Sequence, residues 1–286
     1  MDSKVIASFF SRTELFCDVL SVQNLHSKAN SLATMFQMGM GLTCIDEAIA
    51  LDRKVLSLCR PSHPMQSAVV HQLAGHLSDR WAQCGGMDDI DQAVAYEREA
   101  LKLRRSDNGD WLASLSSLAL HLNGRYKELG DTEDIKEAIA LEREVLALRP
   151  PGHPDRSTSL ISLAQHISAR YEEFGKLGDL IEAISLDREA LILCPPGHQY
   201  RPRSLDGLAC DLVKRFSQLG RIDDVHEAID LSRDALALCP SGDPSLASML
   251  NNLALHFTTR YDELQRIEDL DEAIGLSRSA LALCPF

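Results

Sequence analysis

No stretch of this 286-residue chain approaches the roughly 18 consecutive apolar residues that a membrane-spanning helix requires, so no such span is expected. The first residues, MDSKVIASFFSRTELF, carry Asp2 and Glu14 where a secretory or organellar presequence avoids acid. Basic residues are scarce: 29 Lys and Arg face 42 Asp and Glu, and the net charge of −13 with no basic stripe speaks against a phosphate backbone as ligand. These absences lead to the expectation of a cytoplasmic protein without membrane or nucleic-acid partners. The eight cysteines form no C-x-x-C pair. No Ser-His-Asp order, phosphate-binding loop, HExxH or Cys/His pair stands out either, so neither an enzyme nor a cofactor or metal site is expected.

What the chain has instead is a period. Ala48, Ala93, Ala138, Ala183, Ala228 and Ala273 follow one another at intervals of 45 residues, without insertion or deletion. Strict self-similarity of this length is the mark of stacked structural repeats, each burying its apolar face against the next. Cysteines obey the same period. Cys59, Cys194, Cys239 and Cys284 share one position that Arg104 and Arg149 fill in other copies, and equivalent positions in stacked helical units lie about 10 Å or more apart, beyond disulfide reach. Cys17, Cys44, Cys84 and Cys210 likewise read as free thiols.

Each unit reads as two helices. In the third, Leu115, Leu118, Ala119, Leu122, Tyr126 and Leu129 form one helical stripe that predicts a first helix over about 111–129; it recurs from Leu160, Leu205 and Leu250, and in a weaker form from Leu25. Gly130, with Gly85, Gly175 and Gly220 in register, suits the left-handed residue that closes a helix. Asp134 and Glu137, repeated as Asp89/Gln92, Asp179/Glu182, Asp224/Glu227 and Asp269/Glu272, have capping-box spacing at the start of a second helix. That helix carries Ile135, Ala138, Ile139, Val145 and Leu146 before Pro150-Pro151-Gly152 ends it. The fold expected is all-α: a right-handed α-solenoid of about six antiparallel helix pairs. Residues 1–19 would form a leader or capping helix, and the units would span about 20–64, 65–109, 110–154, 155–199, 200–244 and 245–286.

The second helices end in the pattern A-x6-A-x4-P, as in Ala183, Ala190, Pro195 and in Ala228, Ala235, Pro240, and the first helices carry the pair Leu118-Ala119 and its copies. Together these resemble the tetratricopeptide repeat, whose unit is 34 residues. The 11 further residues here lengthen the first helix by about two turns and extend the turn between units. The aromatic sites of that repeat are altered: Leu115, Leu160 and Leu205 stand at one, and Asp52, Glu97, Glu142 and Asp187 at the one on the second helix. The resemblance is to the extended repeats of kinesin light chains and of fungal arrays that accompany CHAT-type proteases or nucleotide-switch domains. It implies protein–protein interaction, with a peptide or protein segment held on a concave groove lined by first helices.

Positions opposite the first-helix stripe differ most between copies and are the candidate groove residues: Ser116, Leu120, Asn123, Ile161, Gln165, Ser168, Asp206, Lys214, Asn251 and Leu255. Lys and Asn are too scattered among them for a clamp on a terminal carboxylate. His76, His121, His166 and His256 form a column with Asp211 in the remaining place, and lack the spacing of metal ligands on one helix; they read as structural, as do His63, His153 and His198 in the turns. The buried position of Glu142 on the helical wheel calls for a cation, and an antiparallel hairpin would bring Arg125 level with it. Arg80/Glu97 and Arg170/Asp187 repeat that 17-residue separation, while Arg215 and Arg260 face Ser232 and Ser277, so bridges are expected in repeats two to four only. Two function classes fit: a free-standing adaptor, and a sensor or autoinhibitory array belonging to a larger switch protein with a catalytic domain, the latter suggested by the abrupt end at Cys284-Pro285-Phe286.

Overall fold

The computed structural model describes residues 22–60, 63–104, 109–240 and 242–283. The expected leader at 1–19, and Cys17 and Cys284, lie outside them. Among the described residues there are twelve helices and no strand. They are α1 (22–37), α2 (Leu42–Leu58), α3 (Gln66–Cys84), α4 (Met87–Leu103), α5 (Gly109–Leu129), α6 (Thr132–Ala147), α7 (Arg156–Phe174), α8 (Leu177–Leu193), α9 (Arg201–Leu219), α10 (Ile222–Leu238), α11 (Leu246–Leu264) and α12 (Ile267–Leu283). The fold is an all-α helical repeat solenoid, as the period requires. By contacts the chain divides into two compact units, Met1–Leu141 and Glu142–Phe286, the division falling within α6.

In the first unit α3 packs on α4 of its own repeat and on α2 of the repeat before, and α5 on α4. The second unit repeats the arrangement: α7 on α8, α9 on α8 and α10, α11 on α10 and α12. A first helix is thus buried on two sides, and its apolar arc must be wide. The stripe residues Leu73, Ala74 and Leu77 of α3 are fully buried with Ile45, Ile49 and Ile90, and Leu208, Ala209 and Leu212 of α9 are buried with Leu180, Ile184 and Ala228. At about 25 cal/mol per Å² of apolar surface, each such interface supplies the stability that no single repeat has alone.

The glycine column behaves as expected. Gly85, Gly130, Gly175 and Gly220 have φ of 68°, 69°, 61° and 66°, and each donates its N–H to the aromatic residue four positions earlier at 2.7 Å. The turn histidines also hold: Nδ1 of His63, His153 and His198 accepts the N–H of Met65, Asp155 and Tyr200, and the Asp243 carboxylate does the same for Ser245. The thiols of Cys44, Cys59, Cys84, Cys194, Cys210 and Cys239 are free.

Two expectations are corrected. The first-turn aspartates are not caps: Asp89, Asp179 and Asp224 sit one turn inside helices whose N-caps, Gly86, Lys176 and Arg221, make no side-chain hydrogen bond. They accept fork-like pairs of bonds from the arginine nine residues earlier. Nε and Nη2 of Arg80 reach Asp89 at 2.7 and 2.7 Å, those of Arg125 reach Asp134 at 2.7 and 2.7 Å, and those of Arg170 reach Asp179 at 2.8 and 2.9 Å. Arg215 binds Asp224 and Arg260 binds Asp269 in the same way. The arginines expected to meet Glu97, Glu142 and Asp187 fork onto the first-turn aspartates, and repeats five and six, where no bridge to position 232 or 277 was expected, carry the same nine-residue clamp. The reason is the short turn, which sets the first-turn carboxylate beside the last turns of the first helix, well before the position 17 residues on. The other half of four of the five supposed capping boxes reaches outward: Arg53 donates to Gln92, Arg98 to Glu137, Arg143 to Glu182 and Arg188 to Glu227 at 2.6–2.9 Å, each tying one second helix to the next.

Candidate functional site

The candidate face is made by first helices, and its floor is a polar seam. Carboxylates of second helices stand where the apolar arc would otherwise continue, and first helices meet them from both sides. In the first unit, buried Asp52 bonds His76 of the following repeat at 2.6 Å and lies 3.8 Å from His26 of its own. Glu97, fully buried, accepts from Nδ1 of His71 at 2.8 and 3.0 Å. In the second unit Ser232 meets His256 of the next repeat at 3.1 Å. Asp52 with His76 and Ser232 with His256, each pair 24 residues apart, are contacts between consecutive repeats, whereas Glu97 is met by His71 of its own repeat. Burial drives His121 and His256 down to about 4, so both are neutral imidazoles at physiological pH.

One interface departs from this. Asp211 takes the histidine place opposite Asp187, and two buried carboxylates face the same region; burial, then the neighbouring Asp211 charge, pushes Asp187 well above the usual carboxylate range. The missing cation is supplied by Lys214, whose Nζ lies 3.2 Å from Asp211, 2.6 Å from Glu172 and 2.6 Å from the Ser168 hydroxyl. Burial alone would lower Lys214, but Asp211 and Glu172 outweigh it and hold the ammonium above its ordinary value. Beside them burial pushes the Cys210 thiol up to about 12, which leaves it protonated and without nucleophilic character.

The structure sorts the ten candidate residues. Leu120 and Leu255 stand out, 54% and 57% exposed, and Asn251 is exposed too. Ser116, Gln165, Asp206 and Lys214 are partly buried. Ile161 does not belong to an open face: it is buried against Leu160, Ala190 and Cys194, because this column of the first helix turns toward the second helix of its own repeat, as His71 does toward Glu97. Asn123 and Ser168 are buried as well. In the second unit α7, α9 and α11 touch in succession, and polar bonds link them: Arg203 donates to Gln165 at 2.6 Å, Lys214 joins Ser168, and Asn252 donates to both oxygens of Asp206 at 3.1 and 3.3 Å. Sequence reasoning did not place Arg203 and Asn252 in this network; Asn252 lies one residue from the column judged variable and Arg203 three. Among the described residues no His, Cys, Asp and Glu are grouped to hold a metal ion, and no helix is long and apolar enough to cross a membrane.

No family model matches the chain, and no curated protein does. Solved structures do. A kinesin-light-chain-type protein of Podosopora anserina with nearly identical TPR-like repeats aligns with TM-score 0.53 and 24% identity, over 77% of this chain and 97% of that one. BtubC (BKLC) from P. vanneervenii aligns with TM-score 0.54 and 18% identity, over 92% and 94%. Cut9, in the APC/C hetero-tetramer Cut9–Hcn1, gives TM-score 0.56 and 18% identity over 93% of this chain, which spans 44% of it. Identities of this size speak to architecture alone, and the architecture they show is a TPR-like helical repeat fold.

Proposed function

We propose that the chain is a non-enzymatic interaction scaffold that holds a peptide or protein segment on the face of its first helices. The observation that carries this reading is the pairing of exposed leucine with a fixed polar frame: Leu255 projects from α11, which is tied to α9 and through it to α7 by Asn252, Asp206, Arg203 and Gln165, while Leu120 is exposed on α5 in the first unit. An isolated exposed leucine is ordinary. Leucine on a pre-organised face, with amide and carboxylate groups able to bond a peptide backbone, is how a scaffold binds without reordering itself. The Cut9–Hcn1 assembly supports the reading, since there a fold of this kind is joined to another polypeptide.

The test is comparative affinity capture with the intact chain, read by quantitative mass spectrometry. Leu120→Arg in the first unit and Leu255→Arg in the second should each deplete specific partners while leaving the melting curve within about 1–2 °C of the parent, because both side chains are exposed. Partners retained by both variants would place the binding surface elsewhere. Loss of binding together with loss of stability would show that these side chains serve packing.

A further inference from the structure

Twenty residues after each seam position of a second helix, the next first helix carries a polar side chain: Gln72 follows Asp52, Ser117 follows Glu97, Ser162 follows Glu142 and Asn252 follows Ser232. After Asp187 it carries none, for that place is Gly207, inside α9. The fold does not demand a glycine there. Gly207 is not among the positive-φ residues, and a Cβ built on it would first meet the two Asp187 oxygens at 3.6 and 3.7 Å, an ordinary contact distance. A helix interior also disfavours glycine against each of the residues that the other copies use.

The notch left by Gly207, itself partly exposed, stands over a carboxylate without a partner. Asp187 is 2% exposed, and among the described residues none gives it a hydrogen bond or an ion pair. The histidines that serve Asp52 and Glu97 have no counterpart here: Asp211 stands in the place of His76, and Ile161 in that of His71. Lys214 does not fill the gap. Its three donors are taken by Asp211, Glu172 and Ser168 at 3.2, 2.6 and 2.6 Å. The surroundings are acidic as well: Glu172 of α7 and Asp206 and Asp211 of α9 stand with Asp187 against Lys214 and Arg203, and Arg203 is turned to Gln165 of α7, while Asp206 is met by the neutral Asn252 amide.

We propose that the segment held on the first helices is basic, and that it sets a lysine or arginine side chain over Gly207 to pair with Asp187. The notch admits the side chain, the buried carboxylate supplies the missing charge, and the acidic surround favours a positively charged segment over a neutral or acidic one. An arriving cation favours the charged form of Asp187 that burial and the Asp211 charge disfavour. This inference rests on the scaffold reading above and adds the chemistry of the partner.

The probe is a phage-displayed library of random dodecapeptides selected on the intact chain; selected peptides are then labelled with fluorescein and titrated by anisotropy. They are expected to share a lysine or arginine whose replacement by norleucine weakens binding at least ten-fold to the parent and less than two-fold to Asp187→Asn. Gly207→Ser, which leaves the charge unchanged and restores the residue found at Ser117 and Ser162, should weaken the unsubstituted peptides at least ten-fold with no loss in the circular-dichroism melt. Peptides that need no basic residue, or that bind Gly207→Ser and Asp187→Asn as tightly as the parent, overturn the proposal. If such peptides are released by Leu255→Arg, the first-helix reading stands without it. Failure to select any peptide overturns both.

Discussion

His256 offers a test in which one proton reports on one interface. Its ring is buried, 1% exposed, and hydrogen-bonded to the neutral Ser232 hydroxyl; burial lowers its pKa from 6.5 to about 4. A histidine held neutral in the folded state must charge more readily when unfolded. The stability it allows is complete above pH about 6.5 and is lost as pH falls from there toward 4. With those two values the linkage relation gives a loss of about 2 kcal/mol on passing from pH 7.5 to pH 5, an approximately thirty-fold change in an opening equilibrium. The array is not expected to unfold in one step, so the loss should concentrate where the ring sits. Native-state hydrogen exchange of α10 and α11 amides, corrected for intrinsic rates, should show protection falling about thirty-fold in the parent chain and far less in His256→Gln. Asp187, Asp206 and Asp211 are held above their ordinary range, chiefly by burial, and so pull the other way, stabilising on acidification. They are common to both proteins and cancel in the comparison. Parallel pH profiles for parent and His256→Gln would refute the reasoning.

Other expectations follow from single contacts. Arg260→Met removes a two-bond clamp on Asp269, which is nearly buried; a loss of about 1–3 kcal/mol is expected by thermal melting, with Arg125→Met costing at least as much because Arg125 also holds Asp91 at 3.1 Å. Gln265, at φ 53°, stands where four other repeats have glycine, so Gln265→Gly should raise stability by about 0.5–1 kcal/mol, less what its side-chain bonds to the Tyr261 and Asp262 carbonyls contribute. A Cβ on Gly124 would stand 2.9 Å from the Trp81 ring, so Gly124→Ala should destabilise by about 1–3 kcal/mol despite better helix propensity, and Trp81→Phe should rescue it in the double variant. Asp187→Asn should stabilise the chain at neutral pH, with the gain shrinking as acidification protonates the parent carboxylate; a gain independent of pH in urea melts would exclude ionisation as its source.

Much of the architecture was legible because it is periodic. The alanine column, the first-helix stripe, the glycines at helix ends and the turn histidines each recur at one phase, and each is found in the role its chemistry suggests. What one phase cannot show is which column faces which. Arg125 and the carboxylate at 142 are level on a drawn hairpin, yet the Arg125 guanidinium forks onto Asp134, nine residues away, because the turn is only a few residues long and the last turns of one helix lie beside the first turn of the next. The bonds of Asp52 to His76 and of Ser232 to His256 across repeats were not visible, since a 24-residue separation acquires meaning only once a first helix is known to lie on the second helix before it. The same burial on two sides explains why Ile161 and Asn123, variable between copies, are nevertheless covered.

Variation between copies therefore has two sources, and the structure separates them. Some of it is compensation within the stack. Trp81 is matched by Gly124, the smallest residue at its position, just as Asp211 is matched by Lys214. The second case reaches further than the first. A cation three residues after the histidine position sets an ammonium beside Asp211 in the seam between α8 and α9, and it also carries that ammonium toward α7, where it bonds Ser168 and Glu172. A substitution required by the buried seam thereby changes the polarity of the first-helix face above it. Leu120 and Leu255 compensate nothing, for they meet no carboxylate and fill no gap. In the proposed scaffold role, these two exposed residues are the ones assigned to partner choice.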